Sequence, residues 1–175
     1  MARLWPGVWQ VPDDGARDAV AEALRVGYRS IDTAKVYENE AGTGRAIAES
    51  GLARDEVFLT TKLWNSDQGL DETLRAFDAS LERLGTDYVD LYLIHWPVPE
   101  YDRFVDTFKA FQQIRDSGRA KAIGVSNFRV EDLRRVFDET GETPAINQIE
   151  VHPYLGNAEL RADPAVAGAP CAWAS

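Results

Sequence analysis

The sequence has one cysteine, two histidines and no long apolar run. Cys171 cannot form a disulfide within the chain, which is typical of proteins from a reducing compartment. No stretch approaches the ~18 consecutive apolar residues of a membrane helix, and the first residues lack the basic and apolar regions of a signal peptide. We therefore expect a soluble, cytoplasmic protein.

Positive charge is also scarce. Lysine and arginine number 19 against 29 acidic residues, which gives a formal net charge of −10 and a pI near 4.7. Such a surface repels phosphate backbones and anionic lipids, so we expect neither a nucleic-acid nor a membrane partner. The two histidines form no His-x-His pair, and no carboxylate cluster accompanies them, so we expect no metal site.

Short apolar runs alternate with longer amphipathic stretches along the chain. The stretch 70–84 has the clearest helical period, because its large apolar residues recur every three or four positions and Gly85 follows them. The predicted strands are 4–10, 28–32, 57–63, 88–95, 121–126 and 145–151. The predicted helices are 14–26, 39–50, 70–84, 103–117, 130–140 and 157–163.

This repetition predicts a parallel α/β sheet, either doubly wound or closed as a barrel. A dinucleotide-binding doubly wound sheet would carry a glycine-rich turn after its first strand, and none is present. Chemically reactive residues instead end one strand after another. In a parallel barrel all such strand ends open onto one mouth, so the barrel is the better interpretation.

The strand-end residues are Asp32, Lys62 and His95, and Tyr37 follows the first of these strands closely. Each has an ordinary structural explanation when taken alone. Asp32 suits a turn or helix cap, Lys62 a solvated strand end, Tyr37 packing, and His95 a buried position with its hydrogen bonds satisfied. Their joint occurrence at successive strand ends favours a shared site.

Three further polar residues lie at the next strand ends. Ser126 and Asn127 end one strand, where they could also cap the following helix, and Gln148 lies in the sixth strand.

Together these groups suit proton delivery to a carbonyl. A lysine ammonium near Tyr37 is expected to lower the pKa of its phenol, Asp32 would balance the lysine charge, and a neutral His95 could donate a hydrogen bond. A proton donor alone cannot reduce a carbonyl, so the site also requires a hydride source such as a nicotinamide cofactor.

Five segments, 27–40, 58–65, 90–97, 123–128 and 146–153, resemble the signature segments of the aldo-keto reductase family, in the family's order and spacing. The resemblance covers residues 5 to about 162 and is strongest to the bacterial branch that includes 2,5-diketo-gluconate reductases. It implies an incomplete TIM (β/α)8 barrel with about six of eight βα units, in a domain spanning residues 1–162.

The resemblance also implies roles. Tyr37 would be the general acid, tuned by Lys62 and Asp32, while His95 would orient the substrate. Ser126, Asn127 and Gln148 would hold the carboxamide of NADPH. The protein would be an NADPH-dependent oxidoreductase acting on small-molecule carbonyls.

Two tryptophans, Trp9 and Trp96, match positions that line the substrate pocket in the family. Packing at the barrel mouth explains them equally well.

The tail at 163–175 departs from the family and is interpreted as aberrant or truncated, with Trp173 as a candidate to stack on the nicotinamide. In the family, the residues that bind the adenosine phosphate of the cofactor lie in the last two βα repeats. We therefore expect little activity from this chain, and association through uncovered barrel edges.

Two alternatives follow. One is a non-catalytic truncated remnant or cofactor-binding subunit of the same fold. The other is a metal-dependent hydrolase that uses Asp32, His95, Glu150 and His152.

Overall fold

The computed structural model describes residues 7–152, 154–158 and 160, and the backbone of 171–174. Helices and parallel strands alternate along the described chain. The helices are α1 (Asp13–Arg25), α2 (Glu40–Glu49), α3 (Leu70–Leu84), α4 (Phe104–Asp116) and α5 (Val130–Thr140). The strands are β1 (Ser30–Asp32), β2 (Phe58–Leu63), β3 (Val89–Ile94), β4 (Ala120–Ser126), β5 (Asn147–Glu150) and β6 (Cys171–Ala174).

The strands form one parallel sheet in the order β1-β2-β3-β4-β5-β6. Gly7 adds a single parallel bridge to Asp32. Spatial order therefore follows chain order, whereas the strand order of a doubly wound sheet reverses at its switch point. The predicted barrel arrangement is confirmed.

A hydrogen bond across the sheet interior shows that the sheet is curved. Gln148 Nε2 on β5 donates to Asp32 Oδ2 on β1 over 2.9 Å, although three strands lie between β1 and β5. A flat sheet would separate these strands by about 19 Å, at ~4.8 Å for each of four spacings. The sheet therefore curls as part of a barrel, with Asp32 and Gln148 facing its interior.

The alternation of side chains along β2 separates the helix-packed core from the barrel interior. Leu59 and Leu63 belong to the hydrophobic core, and the Thr61 hydroxyl on the same face donates to Glu40 of α2 over 2.6 Å. Lys62 lies between Thr61 and Leu63 in the strand, so it faces the interior.

Two glycines on α2 allow its neighbouring helices to approach closely. A Cβ atom at Gly42 would lie 2.1 Å from the Asp13 carbonyl oxygen of α1, and one at Gly44 would lie 2.1 Å from the Leu84 carbonyl oxygen of α3. No side chain fits at either distance. The tight α1–α2–α3 layer therefore depends on glycine at both positions.

The start of the chain differs from the prediction. Residues 4–6 of the predicted strand 4–10 lie outside the described residues, and Trp9 and Gln10 form a turn instead of extending the strand. Gln10 has a φ of +59°, which is incompatible with a strand. Among the described residues, the predicted strand is represented by the single bridge from Gly7 to Asp32, and the chain turns directly after Val8.

The end of the chain is described only in part. The predicted helix at 157–163 lies largely outside the described residues, as does most of the tail at 163–175. The backbone of Cys171–Ala174 pairs with β5 and extends the sheet, and the Trp173 backbone lies opposite Ile149. Within the described parts of the chain, no helix is both long and apolar enough to cross a membrane.

We predict that Gly44→Ala lowers the free energy of unfolding by about 1–3 kcal/mol, because the added methyl group meets the backbone of Leu84. Gly15→Ala on α1 is the matched control. Its Cβ would lie 3.1 Å from the end of the Val11 side chain and 3.6 Å from the Pro12 ring, and alanine favours a helix by ~1 kcal/mol over glycine. Urea unfolding measures both variants. Equal free energies of unfolding for Gly44→Ala and Gly15→Ala would contradict the close approach of α2 to α3.

Candidate active site

A buried ion pair lies at the carboxyl ends of the first two strands. The Lys62 ammonium donates to Asp32 Oδ1 and, over 3.2 Å, to the Thr33 carbonyl oxygen. Only 3% of the lysine side chain and 10% of the aspartate side chain are exposed. A charge that is so deeply buried requires a partner of opposite charge, and Lys62 and Asp32 are each other's partner. The solvated-strand-end interpretation of Lys62 is therefore wrong.

Gln148 holds the other oxygen of the Asp32 carboxylate. Its amide nitrogen donates to Asp32 Oδ2 over 2.9 Å, so each carboxylate oxygen accepts a hydrogen bond. The carboxylate is therefore fixed by groups from β2 and β5, which brings three strand ends together at one point.

Tyr37 lies beside this ion pair on a short 3-10 turn, Lys35–Tyr37, that follows β1. The centre of its ring is 5.3 Å from Lys62 Nζ. The segment is anchored by Asn39, whose side-chain nitrogen donates to the carbonyl oxygens of Val8 at 2.8 Å and Val11 at 2.9 Å. The half-buried phenol is thus held close to the lysine, as the site prediction requires.

The pKa of Tyr37 differs in direction from the prediction. Burial raises the pKa of its phenol most strongly, Lys62 lowers it by charge and hydrogen bonding, and Asp32 raises it, so the net direction is upward from 10.0. The expected lowering by Lys62 is present but is outweighed by burial. Tyr37 therefore retains its proton at neutral pH.

His95 follows β3 directly and faces Tyr37. The two ring centres are 5.8 Å apart with planes at 82°, an edge-to-face contact. Burial and, next, the Lys62 charge lower the pKa of His95 from 6.5 to about 4, against an opposing effect of Asp32. The imidazole is therefore neutral at pH 7. Its buried Nδ1 has no hydrogen-bond partner among the described residues.

Trp64 is a site residue that sequence reasoning missed. It follows β2 directly, and its half-buried ring meets His95 edge-to-face with ring centres 5.3 Å apart. Its position after a strand end was the available signal, because Asp32, Lys62 and His95 were recognised by the same criterion.

Ser126, Asn127 and Gln148 form one cluster beside His95. Ser126 Oγ donates to the Gln148 carbonyl oxygen over 2.9 Å, and the Asn127 side-chain nitrogen donates to the His95 carbonyl oxygen over 3.0 Å and to Ser126 Oγ over 3.1 Å. The capping alternative is wrong, because these side chains bond across the strand ends. Helix α5 is instead preceded by Arg129, whose backbone N–H donates to Asp132 Oδ2.

The cluster has the groups needed to bind a carboxamide. Among the described residues, no donor is bonded to the side-chain oxygen of Asn127 or of Gln148, so both can accept hydrogen bonds. The Ser126 hydroxyl can accept as well as donate. The side chain of Trp173, the predicted stacking residue, lies outside the described residues.

The two predicted substrate-contact residues are on loops at this end of the sheet. Trp9 follows the Gly7–Asp32 bridge and is 64% exposed, and Trp96 follows His95 and is 46% exposed. The Trp96 carbonyl oxygen accepts from Gln68 Nε2 over 2.7 Å, which fixes the backbone of its loop. Both indoles therefore leave apolar surface available at the barrel mouth.

The residues of the hydrolase alternative do not gather at one point. Glu150 pairs with His152 over 3.2 Å at an exposed position, while Asp32 is bonded to Lys62. Within the part of the chain that the structure describes, no three His, Cys, Asp or Glu side chains form a group able to hold a metal ion. Nothing there supports a metal-dependent hydrolase.

Residues 2–165 match the family model described as the aldo/keto reductase family. The chain is 64% identical over 155 residues to an aldo-keto reductase of Mycolicibacterium smegmatis, covering 89% of this chain and 56% of the relative. It is 48% identical over 162 residues to the methylglyoxal reductase DkgA of Salmonella typhimurium, covering 93% and 58% respectively.

A solved structure supports the same assignment. The crystal structure of a Bombyx mori aldo-keto reductase in complex with NADP matches with a TM-score of 0.92 and 36% identity, covering all of this chain (100%) and 62% of that chain. The chain thus spans somewhat more than half the length of the proteins it matches. The predicted family and the incomplete barrel are confirmed.

The lowered pKa of His95 predicts a pH-dependent stability. An unfolded histidine takes up a proton near pH 6.5, whereas the folded one does so only near 4. The contribution of neutral His95 is therefore present above pH 6.5 and is lost as the pH falls toward 4.

Urea unfolding across this pH range should show a flatter pH dependence for His95→Gln than for the wild type. His152→Gln, at an exposed histidine, is the matched control. An identical pH dependence in wild type and His95→Gln would show that the imidazole is not buried as described.

Proposed function

Because the chain belongs to the aldo/keto reductase family, we propose that the site around Tyr37 reduces aldehyde or ketone carbonyls to alcohols with NADPH as the hydride donor. The observation that carries the proposal is the meeting of Tyr37, Lys62 and His95 at one point of the barrel mouth. These residues come from three separate strand ends, and together they suit proton delivery to an oxygen atom.

In the proposed reaction the Tyr37 hydroxyl donates its proton to the carbonyl oxygen. NADPH, when bound, supplies the hydride that reaches the carbonyl carbon, so that the product is an alcohol. The raised pKa keeps Tyr37 protonated until that transfer, and the Lys62 ammonium then stabilises the resulting phenolate. Asp32 keeps the ammonium in place through its ion pair.

His95 would orient the carbonyl by donating a hydrogen bond to its oxygen. The lowered pKa supports this role, because a neutral imidazole donates without delivering a second proton. The Tyr37 ring lies against His95, so both groups can address the same oxygen atom.

The cofactor assignment is part of the proposal. Ser126, Asn127 and Gln148 would hold the nicotinamide carboxamide, which both donates and accepts hydrogen bonds. Trp173 would stack on the ring. NADP is preferred over NAD because the Bombyx mori relative was solved in complex with NADP.

For the substrate we propose small aldehydes and ketones that contact the exposed faces of Trp9 and Trp96. Methylglyoxal is a suitable test compound because the Salmonella typhimurium relative is named as a methylglyoxal reductase.

A second candidate is a cofactor-binding protein of the same fold without catalysis. The observation that favours it is the Ser126, Asn127 and Gln148 cluster, whose groups could hold a cofactor whether or not a carbonyl is reduced. Binding and turnover therefore have to be measured separately.

The test compares wild type with Tyr37→Phe in NADPH oxidation with methylglyoxal, and follows NADPH binding by tryptophan fluorescence. We expect the variant to lose activity by a factor of about 100 or more, because general acid catalysis contributes on that order. NADPH binding should be unchanged. Tyr88→Phe is the matched control, since Tyr88 is half-buried at the opposite ends of the strands.

Retention of activity by Tyr37→Phe would overturn the role of the phenol. NADPH binding by the wild type without turnover of any carbonyl would instead support the cofactor-binding candidate.

A further inference from the structure

A turn after β2 lies between the segment that carries Tyr37 and the loop that carries His95. It comprises residues 64–68 and is called the 64–68 turn here. Its centre is the 3-10 helix Asn65–Asp67. The Asp67 N–H donates to the Trp64 carbonyl oxygen over 3.1 Å, and the Thr73 hydroxyl of α3 donates to the Asp67 carbonyl oxygen over 3.2 Å. The turn is therefore anchored to the first helical turns of α3.

On one side, the 64–68 turn is joined to the Tyr37 segment by an ion pair between Lys35 and Asp67. Lys35 is the first residue of the 3-10 turn that ends at Tyr37. The two side chains are 34% and 20% exposed, so the pair is partly withdrawn from solvent. A turn of three residues has little rigidity of its own, and this contact fixes it against its neighbour.

On the other side, the turn contacts the His95 loop twice. The Trp64 ring packs against the His95 ring, with centres 5.3 Å apart. Gln68, which is buried, donates from Nε2 to the Trp96 carbonyl oxygen over 2.7 Å. The turn thus contacts the side chain of His95 and forms a hydrogen bond with the backbone of Trp96.

The sheet order explains why this turn can set the separation of Tyr37 and His95. Strands β1 and β3 are not neighbours, because β2 lies between them. The 64–68 turn, which follows β2, therefore lies between the segment after β1 and the segment after β3. The edge-to-face contact of Tyr37 and His95 spans this gap.

We propose that Asp67 is a positioning residue, whose ion pair with Lys35 holds Tyr37 over His95 so that both address one carbonyl oxygen. This inference rests on the proposed function, which assigns the reaction to those two side chains. Asp67 acts through Lys35 and Trp64, and no contact with substrate is required of it.

The first test is Asp67→Asn, with the titration of the His95 ring followed by NMR. Loosening of the Tyr37 segment and Trp64 lets water reach the imidazole, which is faced by Lys62, Asp32, Tyr37 and Trp64. We expect the His95 pKa to rise from about 4 by about half a unit or more. Loss of the Asp67 charge by itself would lower this pKa, so a rise reports repositioning.

Glu142→Gln is the matched control. It also replaces one carboxylate of a partly exposed ion pair, since Arg115 and Glu142 are 32% and 29% exposed. This pair joins the end of α4 to the residues after α5, away from the mouth. We expect the His95 titration of this variant to match the wild type. Equal titrations in Asp67→Asn and Glu142→Gln would overturn the proposal.

Two further variants keep the test decisive if Asp67→Asn folds poorly. Lys35→Met removes the other partner at a more exposed position, and its kcat should fall as in Asp67→Asn. The kinetic reading is used for this variant because loss of the Lys35 charge alone already raises the His95 pKa. The charge swap Lys35→Glu with Asp67→Lys restores an ion pair and should return the titration toward the wild-type curve. A swap that behaves like the single variants would mean that the pair does not position the site.

Kinetics give an independent reading. Asp67→Asn should lower kcat about tenfold or more, with a smaller change in the KM for the carbonyl, because misplacement of the reacting groups affects the chemical step. A change confined to KM would contradict a positioning role. If the wild type showed no turnover, the proposed function would fail, while the NMR titration would still decide whether Asp67 positions His95 and Tyr37.

Discussion

The site depends on one interaction, the buried ion pair between Lys62 and Asp32. Removing either partner would leave a charge inside the protein, at a cost of about 3–5 kcal/mol. The ends of β1 and β2 must therefore align, and Gln148 from β5 binds the remaining carboxylate oxygen. The ion pair and this hydrogen bond together fix the ends of three strands at one point.

The charge on Lys62 acts on two neighbours in different ways. Added to burial, it keeps His95 neutral by lowering its pKa to about 4. At Tyr37 it opposes burial, and the pKa remains above its ordinary value. One cation thus lies beside a neutral hydrogen-bond donor and a protonated phenol, the two forms that the proposed carbonyl reduction requires. The 64–68 turn complements this electrostatic arrangement by joining the segments that carry Tyr37 and His95.

Sequence patterns predicted most of the helices and strands, because their apolar periods reflect packing that the barrel realises. The strand-end positions of Asp32, Lys62 and His95 also predicted a shared mouth. Features that depend on three-dimensional burial were not predictable: the upward direction of the Tyr37 pKa, and the packing of Trp64 on His95. The turn at Trp9 and Gln10 was missed because an apolar run does not reveal a left-handed backbone.

Transfer of deuterium tests the reductase account most directly. The purified chain is incubated with NADPH deuterated at C4 and methylglyoxal, and the alcohol product is analysed by mass spectrometry and NMR, which detect even slow turnover. The account predicts deuterium on the former carbonyl carbon, with the hydroxyl proton derived from solvent through Tyr37. Deuterated cofactor that binds but yields no labelled alcohol would contradict it.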